Sequence, residues 1–385
     1  LGLCIGTICT YKKEVKSSTV LLTSANYFTI AKFRYSFVSK LIEHGYKVVL
    51  YASDDSMSHD SLEKLEELGA TCIRSNVSRG SYSVKEAVQY IYRYSQIVRK
   101  YSPSVIINFT LQSMVFGGLI CRLGNIRYIS VVTGLGSQYH NNRITRAFVK
   151  LMYGLIVNYS NQVWFVSKSD ARIGMDKLHI NSKKIKVVYG AGIQISSNQS
   201  IMSRGDSIKV MYMGRIRADK GIYDFVDLAR RLSSNNKLSF ILMGDIDSAD
   251  ERINAIVNEA VKGGLFTRID FDYNNMQYLR SANVLLLCSR HEGMPTVILE
   301  AMANNVIPVS TNLSVINELN HMGAKISTYT PGDIESLIIN INKIERLTSI
   351  KRNDILNNNY EFVSKYFEQD EIATLQYKYF SELAE

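Results

Sequence analysis

The sequence predicts an α/β protein with two doubly wound parallel sheets, and three observations lead to this fold class. Short apolar runs alternate with segments of helical periodicity, as at Thr19–Thr23 and Ala31–His44. The alternation stops at Gly190–Asp206, which is rich in Ser, Gly and Asn, and it starts again at Ile208–Met213. The 385 residues are enough for two domains. We therefore predict two domains that face a central cleft, where such proteins bind ligands.

The first half alternates between buried strands and amphipathic helices. Phe33, Phe37 and Leu41 recur at helical spacing, and Gly45 ends that helix. Apolar runs of four to six residues indicate parallel strands buried on both faces. The predicted strands are Thr19–Thr23, Lys47–Ala52, Val105–Phe109, Tyr128–Val132, Gln162–Val166 and Lys186–Tyr189. The predicted helices are Ala31–His44, Ser61–Leu68, Val84–Tyr101, Met114–Leu123, Thr145–Ser160 and Ser169–Leu178.

The second half repeats the pattern after the polar stretch. Its predicted strands are Ile208–Met213, Leu238–Met243, Arg268–Phe271, Val284–Cys288 and Ile307–Ser310. Its predicted helices are Gly221–Leu232, Asp250–Gly263, Asn274–Ser281, Pro295–Asn304, Asp333–Ile344 and Lys351–Ala384. These patterns predict a first domain over 1–192, a linker over 193–206 and a second domain over 207–365. We expect a last helix over 366–385 to pack back toward the first domain.

The charge of the chain is divided unevenly between the two halves. Residues 1–205 contain 26 Lys and Arg against 11 Asp and Glu, a net charge of +15, whereas residues 206–385 have a net charge of −5. A basic half suggests an anionic partner such as a membrane, a lipid pyrophosphate or a nucleic acid. The composition excludes collagen-like and disordered classes. The five cysteines form no CxxC pair, so neither a zinc site nor a disulfide framework is predicted.

The most informative segment is Arg290–Ser310, where a predicted strand leads through a tight loop into a helix. Pro295 stands where the first helical residue is expected, so the helix N-terminus directs free N–H groups at the cleft, which suits an anion. Glu292 lies in the loop, and Glu300 is the only charged residue from Gly293 to Ser310. Two carboxylates in these positions could hold hydroxyl groups of two parts of one ligand.

A second informative segment, Met211–Gly221, joins a buried strand to a helix through a basic turn. Gly214 and Arg215 follow the strand, and Lys220 precedes the helix. The turn therefore places two cations at the carboxyl end of a parallel strand, where α/β sheets bind ligands. Such cations can hold a diphosphate as it leaves.

Together, GRIRADKG and the later EGMPTVILEA resemble the retaining GT-B glycosyltransferases of the glycogen-synthase-like group, family 4. The loop Thr133–Ser137 is similar to the TGLG segment of bacterial transferases that extend lipid-linked oligosaccharides. The resemblance implies the GT-B architecture, in which two Rossmann-like domains face a cleft. It implies transfer of a hexose or N-acetylhexosamine from a nucleotide sugar, with a UDP-sugar as the expected donor. The expected acceptor is a lipid-linked saccharide in the synthesis of bacterial O-antigen, capsule or exopolysaccharide. The configuration at the anomeric carbon would be retained by front-side attack.

The resemblance also implies roles for individual residues. Arg215 and Lys220 would hold the donor diphosphate, Glu292 would bind hydroxyl groups of the transferred sugar, and these three form the expected catalytic group. Glu300 would accept hydrogen bonds from the nucleotide ribose. The remaining expected donor-binding residues are Gly134, Gly136, Gly214, Gly293, Met294, Pro295 and Thr296. The sequence departs from the family pattern where Thr133 or Gly134 replaces a histidine, and where 23–26 replaces two adjacent glycines.

The basic first half is the expected side for the acceptor and the membrane. The candidates for these contacts are Arg34, His140, Arg143, Arg146 and Lys150. The partners that follow are a nucleotide sugar, an undecaprenyl-diphosphate-linked saccharide and the anionic cytoplasmic face of the inner membrane, with a cytoplasmic, peripheral location. No apolar stretch reaches the length of a membrane span.

Two other functions and one metal site are alternatives to this prediction. A nucleotide-sugar 2-epimerase shares the two-domain architecture and would turn over its donor without an acceptor. A basic nucleic-acid-binding protein would fit the net charge, but the chain lacks a recognised nucleic-acid motif. Asp245 and Asp247 form a DxD pair of the kind that holds a metal in GT-A transferases. Because Arg215 and Lys220 already suit the diphosphate, we expect neither a metal nor another cofactor.

Overall fold

Two parallel sheets form the framework of the molecule. The computed structural model describes residues 18–54, 59–75, 84–135, 143–195, 207–246, 250–272 and 275–384. The first sheet contains β1 Thr19–Asn26, β2 Lys47–Ser53, β3 Thr71–Ser75, β4 Val105–Asn108, β5 Arg127–Val132, β6 Gln162–Phe165 and β7 Ile185–Val187. The second contains β8 Ile208–Met213, β9 Leu238–Met243, β10 Thr267–Ile269, β11 Val284–Leu287, β12 Ile307–Thr311 and β13 Ser327–Tyr329.

Helices connect the strands in both halves. Those of the first half are α1 Tyr27–Phe33, α2 Tyr35–Glu43, α3 His59–Glu67, α4 Val84–Tyr101, α5 Gly118–Leu123, α6 Arg143–Leu155 and α7 Lys168–Leu178. Those of the second half are α8 Ile222–Arg231, α9 Glu251–Lys262, α10 Asn275–Ser281, α11 Thr296–Ala303, α12 Ser314–His321, α13 Ile334–Glu345, α14 Ser349–Tyr366 and α15 Gln369–Ala384. A π-helical turn at Ser113–Gly117 leads into α5.

The strand order makes both sheets doubly wound, which confirms the predicted fold class. The first sheet runs β3-β2-β1-β4-β5-β6-β7, and the second runs β10-β9-β8-β11-β12-β13. All paired strands are parallel, with Val20 opposite both Val48 and Val105 in the first sheet. The order reverses between β1 and β4 in one sheet and between β8 and β11 in the other. Ligands bind to such sheets at these switch points, beyond the carboxyl ends of the strands.

Each sheet is covered on both faces, because successive side chains of a strand point in opposite directions. In β1, Leu22 enters the core formed with α1 and α2, whereas Leu21 enters the core formed with α4. In β11, Leu286 and Leu285 divide in the same way between the two cores of the second sheet. This pattern explains why the central strands were recognisable as continuous apolar runs.

Several element boundaries differ from the sequence prediction. The helix predicted over 31–44 is two helices that break at Arg34, and the one predicted over 351–384 breaks at Phe367, which is fully buried. The elements β3, α12 and β13 were not predicted. Strand β3 is half-exposed and contains only two apolar residues, and β13 has three residues, so neither produces a clear apolar run.

The end of the chain is tied to the connection between the two halves. Ile193 donates its N–H to the carbonyl of Phe367 at 2.8 Å and accepts from the N–H of Gln369 at 3.0 Å. Gly192 has φ +71°, and a Cβ there would lie 2.6 Å from the Cα of Gln369. Helix α15 then packs on α2, with the rings of Phe380 and Phe37 6.5 Å apart.

Candidate functional site

The switch point of the second sheet opens into a cavity of about 220 Å³. We name it the switch-point cavity. It lies where β8 and β11 end and α11 begins. Among the predicted site residues, its lining includes Gly214, Arg215, Lys220, Glu292, Met294, Pro295 and Thr296. The two sequence segments that carried the resemblance therefore meet in one place, although some seventy residues separate them.

The basic turn after β8 is held in place by a buried tyrosine and a close backbone contact. The hydroxyl of Tyr212 lies 2.9 Å from the carbonyl of Arg215 and 3.3 Å from that of Lys220. Gly221 has φ +72°, and a Cβ there would lie 2.1 Å from the carbonyl oxygen of Cys288. Only glycine fits this position. The turn is thereby fixed against the end of β11, and its cations are held beside the loop that contains Glu292.

Lys220 and Glu292 form an ion pair at the cavity wall. The Nζ of Lys220 lies 2.7 Å from Oε1 of Glu292, and both side chains are about one-fifth exposed. The pair joins the residue expected to hold the phosphate to the residue expected to hold the sugar. A ligand with both groups can thus contact a cation and a carboxylate that are already adjacent.

Helix α11 begins at the cavity and contributes backbone N–H groups. Pro295 is the N-cap of this helix and has an extended backbone, with ψ 91°. The helix therefore starts at Thr296, one residue later than predicted. No side chain caps this end, and Ile298 donates to the carbonyl of Pro295 at 3.0 Å. The helix dipole and the backbone N–H groups of the first turn favour an anion here.

The first half of the chain contacts the loop between Glu292 and Met294 through backbone atoms. A Cβ on Gly293 would lie 2.4 Å from the carbonyl oxygen of Thr133 and 2.8 Å from the Cα of Gly134. Gly134 has φ +138°. A Cβ on Gly190 would lie 3.3 Å from the side chain of Met294. Residues of both halves are therefore in contact at the cavity. Gly136 lies outside the described residues.

Two carboxylates of the second half contact the first half directly. Oε1 of Glu300 lies 3.2 Å from Nζ of Lys32 on α1, and Glu300 is the less exposed partner, at 13%. Glu318 of α12 accepts from the N–H groups of Lys168 and Ser169, both at 3.0 Å, and so caps α7. Sequence reasoning missed both contacts, because nothing local to Lys32 or Glu318 indicates a partner more than 140 positions away.

The first turn of α7 also supports the loop that reaches Gly293. Asp170 lies in this turn, accepts a hydrogen bond from the backbone of Leu135, and has a second carboxylate oxygen without a partner among the described residues. The pKa of Asp170 is raised to about 7, mainly by burial and also by the nearby charge of Glu318, while the hydrogen bond from Leu135 acts in the opposite direction. One turn of helix thus contacts both the loop and the second half.

Three of the five predicted acceptor and membrane residues have described side chains, and these differ in burial. Arg34 is 8% exposed and lies at the break between α1 and α2, whereas Arg146 and Lys150 are exposed on α6. Arg143 begins α6, but its side chain is not described, and His140 lies outside the described residues. Exposed Leu151 and Leu155 accompany the two α6 cations.

Neither a metal centre nor a membrane span is found in the described part of the chain. Asp245 accepts from the N–H of Phe271 at 3.4 Å, and Asp247 lies outside the described residues. Across the described ranges, no three His, Cys, Asp or Glu side chains are grouped as metal ligands. No described helix combines the length and the apolar character needed to cross a bilayer.

Two family models cover most of the chain, one for each half. The model "Glycosyl transferases group 1" matches residues 195–362, and "Glycosyltransferase Family 4" matches residues 31–191. This chain therefore belongs to the group 1, family 4 glycosyltransferases, with the GT-B architecture. The family assignment confirms that it is a glycosyltransferase and sets aside a non-enzymatic nucleic-acid-binding function.

Individual relatives agree with this class. An N,N'-diacetylbacillosaminyl-diphospho-undecaprenol alpha-1,3-N-acetylgalactosaminyltransferase of Campylobacter jejuni is 24% identical, over 71% of this chain and 75% of the relative. The capsular polysaccharide biosynthesis glycosyltransferase CapH of Staphylococcus aureus is 23% identical, over 67% and 71%. The solved structure of Alr3699/HepE of Anabaena with UDP and glucose has a TM-score of 0.76 at 15% identity, over 95% of this chain and all of that one.

Proposed function

We propose that this protein is a retaining glycosyltransferase of bacterial surface polysaccharide synthesis. It transfers a hexose or N-acetylhexosamine from a UDP-sugar to a hydroxyl group of a lipid-linked saccharide. The observation that carries the proposal is the switch-point cavity, where a cationic turn, a helix N-terminus and Glu292 converge. The names of the Campylobacter jejuni and Staphylococcus aureus relatives support the acceptor class and the process, and the UDP complex of the Anabaena protein supports the donor.

The donor diphosphate would be bound by the cationic side of the cavity. Arg215, Lys220 and the N–H groups at the start of α11 would hold its oxygens and stabilise the negative charge that develops as UDP leaves. These groups make a metal unnecessary for charge neutralisation, so we expect transfer to continue in excess EDTA. Loss of activity in EDTA, restored by Mg²⁺ or Mn²⁺, would contradict this part of the proposal.

The transferred sugar would lie beside Glu292. Its carboxylate would accept hydrogen bonds from sugar hydroxyl groups, and the adjacent ammonium of Lys220 would be shared with the phosphate. The ribose would bind Glu300 in exchange for Lys32, whose ammonium lies 3.2 Å from that carboxylate. The acceptor hydroxyl would attack on the face from which UDP departs, and this geometry retains the anomeric configuration.

Helix α6 would bring the protein to the membrane. Arg146 and Lys150 lie on the same exposed helix as Leu151 and Leu155, so cations accompany apolar side chains, as at an anionic lipid surface. The guanidinium of Arg122 stacks 3.7 Å from the ring centroid of Tyr159 and donates to the carbonyl of Leu155 at 2.6 Å, which extends this surface. We expect a peripheral location on the cytoplasmic face of the inner membrane.

The decisive experiment combines a panel of nucleotide sugars with a bacterial lipid extract. We expect UDP release that requires the acceptor, together with a product whose anomeric proton coupling in NMR matches that of the donor. UDP release without acceptor would favour the epimerase or a hydrolase, and an inverted anomer would refute retention.

A second experiment tests the membrane contact. Replacing Arg143, Arg146 and Lys150 by glutamate should weaken vesicle binding more than UDP binding. Unchanged vesicle binding at low salt would refute the membrane contact.

A further inference from the structure

Arg34 is a buried cation at the switch point of the first sheet. It lies between α1, which follows β1, and α2, and its guanidinium carbon lies 4.5 Å from the ring centroid of Phe109, the residue directly after β4. Since β1 and β4 are the neighbours at which the strand order reverses, this is the position where a doubly wound sheet binds ligands. Lys32, two residues earlier, reaches Glu300 across the cleft, so this part of α1 borders the cleft.

The guanidinium has no anionic partner within the described ranges. Arg34 is 8% exposed, and its described polar contact is a hydrogen bond from Nη1 to the carbonyl of Phe33 at 2.9 Å. Burial lowers its pKa to about 10, with no neighbouring carboxylate acting in the other direction. Lys32 and Lys220 differ from Arg34, because each has a carboxylate partner.

Stacking on Phe109 does not account for the burial of this charge. A cation–π contact contributes less than the cost of enclosing an unpaired cation, and buried charges in proteins are normally paired. Four of the five N–H bonds of a guanidinium stay available after the bond to Phe33, in a planar fork that matches two oxygens of a phosphate. The free N–H groups of Arg34 could therefore accommodate an oxyanion.

We propose that Arg34 binds a phosphate group of the acceptor substrate. This inference rests on the proposed function, which gives the acceptor a lipid-linked phosphate. The donor diphosphate has its own cations, Arg215 and Lys220, at the other switch point, beside α11. The protein would thus hold one phosphate group at each switch point, the donor's on the second sheet and the acceptor's on the first.

The test compares two soluble acceptors that carry the same saccharide. One is linked to a short-chain alkyl diphosphate, and the other is the neutral alkyl glycoside. We expect R34Q to lower kcat/KM for the diphosphate acceptor by about 10- to 100-fold, the range for loss of a charged hydrogen bond. The same substitution should change kcat/KM for the neutral acceptor by less than about three-fold. The Kd of UDP should stay at the wild-type value.

Matched variants separate phosphate binding from a structural role. R34K keeps the positive charge but loses the planar guanidinium that can bind two phosphate oxygens at once. It should therefore retain part of the preference for the charged acceptor. R99Q removes an exposed arginine of α4 and should leave both acceptors unaffected. An equal loss with both acceptors would overturn the proposal in favour of a structural arginine. A weaker Kd for UDP would assign the oxyanion to the donor and also overturn it. Absence of transfer to either acceptor by the wild type would instead refute the proposed function.

Discussion

Alanine at Gly293 should separate binding of the donor nucleotide from turnover. The new Cβ would lie 2.4 Å from the carbonyl oxygen of Thr133 and 2.8 Å from the Cα of Gly134, both backbone atoms of the other half. Ordinary contacts begin near 3.4 Å, so the loop must retreat by about 1 Å, and overpacking of this kind costs about 1–3 kcal/mol. Gly293 is not among the positive-φ glycines, so alanine adds no backbone strain. The arrangement in which Gly293 contacts Thr133 and Gly134 should become roughly 5- to 150-fold less populated.

The assay is steady-state transfer, with the Kd of UDP measured by calorimetry on the same preparations. We expect kcat for G293A to fall by a factor within that range, while UDP binding, which we propose to involve mainly the second half, changes by much less. Gly154 of α6 is the matched control, because a Cβ there meets nothing within 4 Å, and G154A should keep the wild-type kcat. Wild-type turnover by G293A would refute the argument that transfer requires this contact between the halves.

Three further predictions concern carboxylates. E292Q should lower kcat by about 100-fold or more while changing the Kd of UDP little, because the carboxylate is assigned to the sugar; full activity would refute that role. K32M should tighten the Kd of UDP by about two- to five-fold, since Glu300 loses a competing ammonium; weaker binding would mean that Lys32 contacts the nucleotide. The pKa of Asp170 is higher in the folded protein than in the unfolded chain, so deprotonation at rising pH favours unfolding. The free energy of unfolding should therefore fall by up to about 4 kcal/mol between pH 4 and pH 8. Melting curves of D170N should lack this fall.

The fold could be predicted where burial dictates the sequence. Strand β11 is enclosed on both faces and consists of apolar residues only, and β8 is apolar from Val210 to Met213, so both strands can be recognised without a structure. Strand β3 lies at the sheet edge with half of its surface exposed, so its residues satisfy no such pattern. The break at Arg34 was not predicted, because the apolar residues around it follow a single helical spacing; the residue at the break has a buried side chain.

The candidate site could be predicted only as far as it is local. Arg215 and Lys220 belong to one turn, and Glu292 and Pro295 to another, so each pair lies in one short segment whose expected role came from the family resemblance. The meeting of the two turns at the switch-point cavity is a consequence of β8 lying beside β11, which the strand order provides. The contact of Glu300 with Lys32 depends on how the two halves face each other, and no pattern within either half specifies this.

The uneven charge of the chain acquires a structural meaning at the contacts between the halves. The acidic half supplies Glu300 and Glu318, and the basic half supplies the ammonium of Lys32 and the N-terminus of α7. If the ribose takes Glu300 as proposed, the contact with Lys32 is exchanged when the donor binds, whereas Glu318 contacts no group assigned to a ligand. The cap on α7 can therefore keep the halves together while the ion pair opens. Since the same turn of α7 supports the loop at Gly293 through Asp170, this cap also determines where the loop meets the cavity.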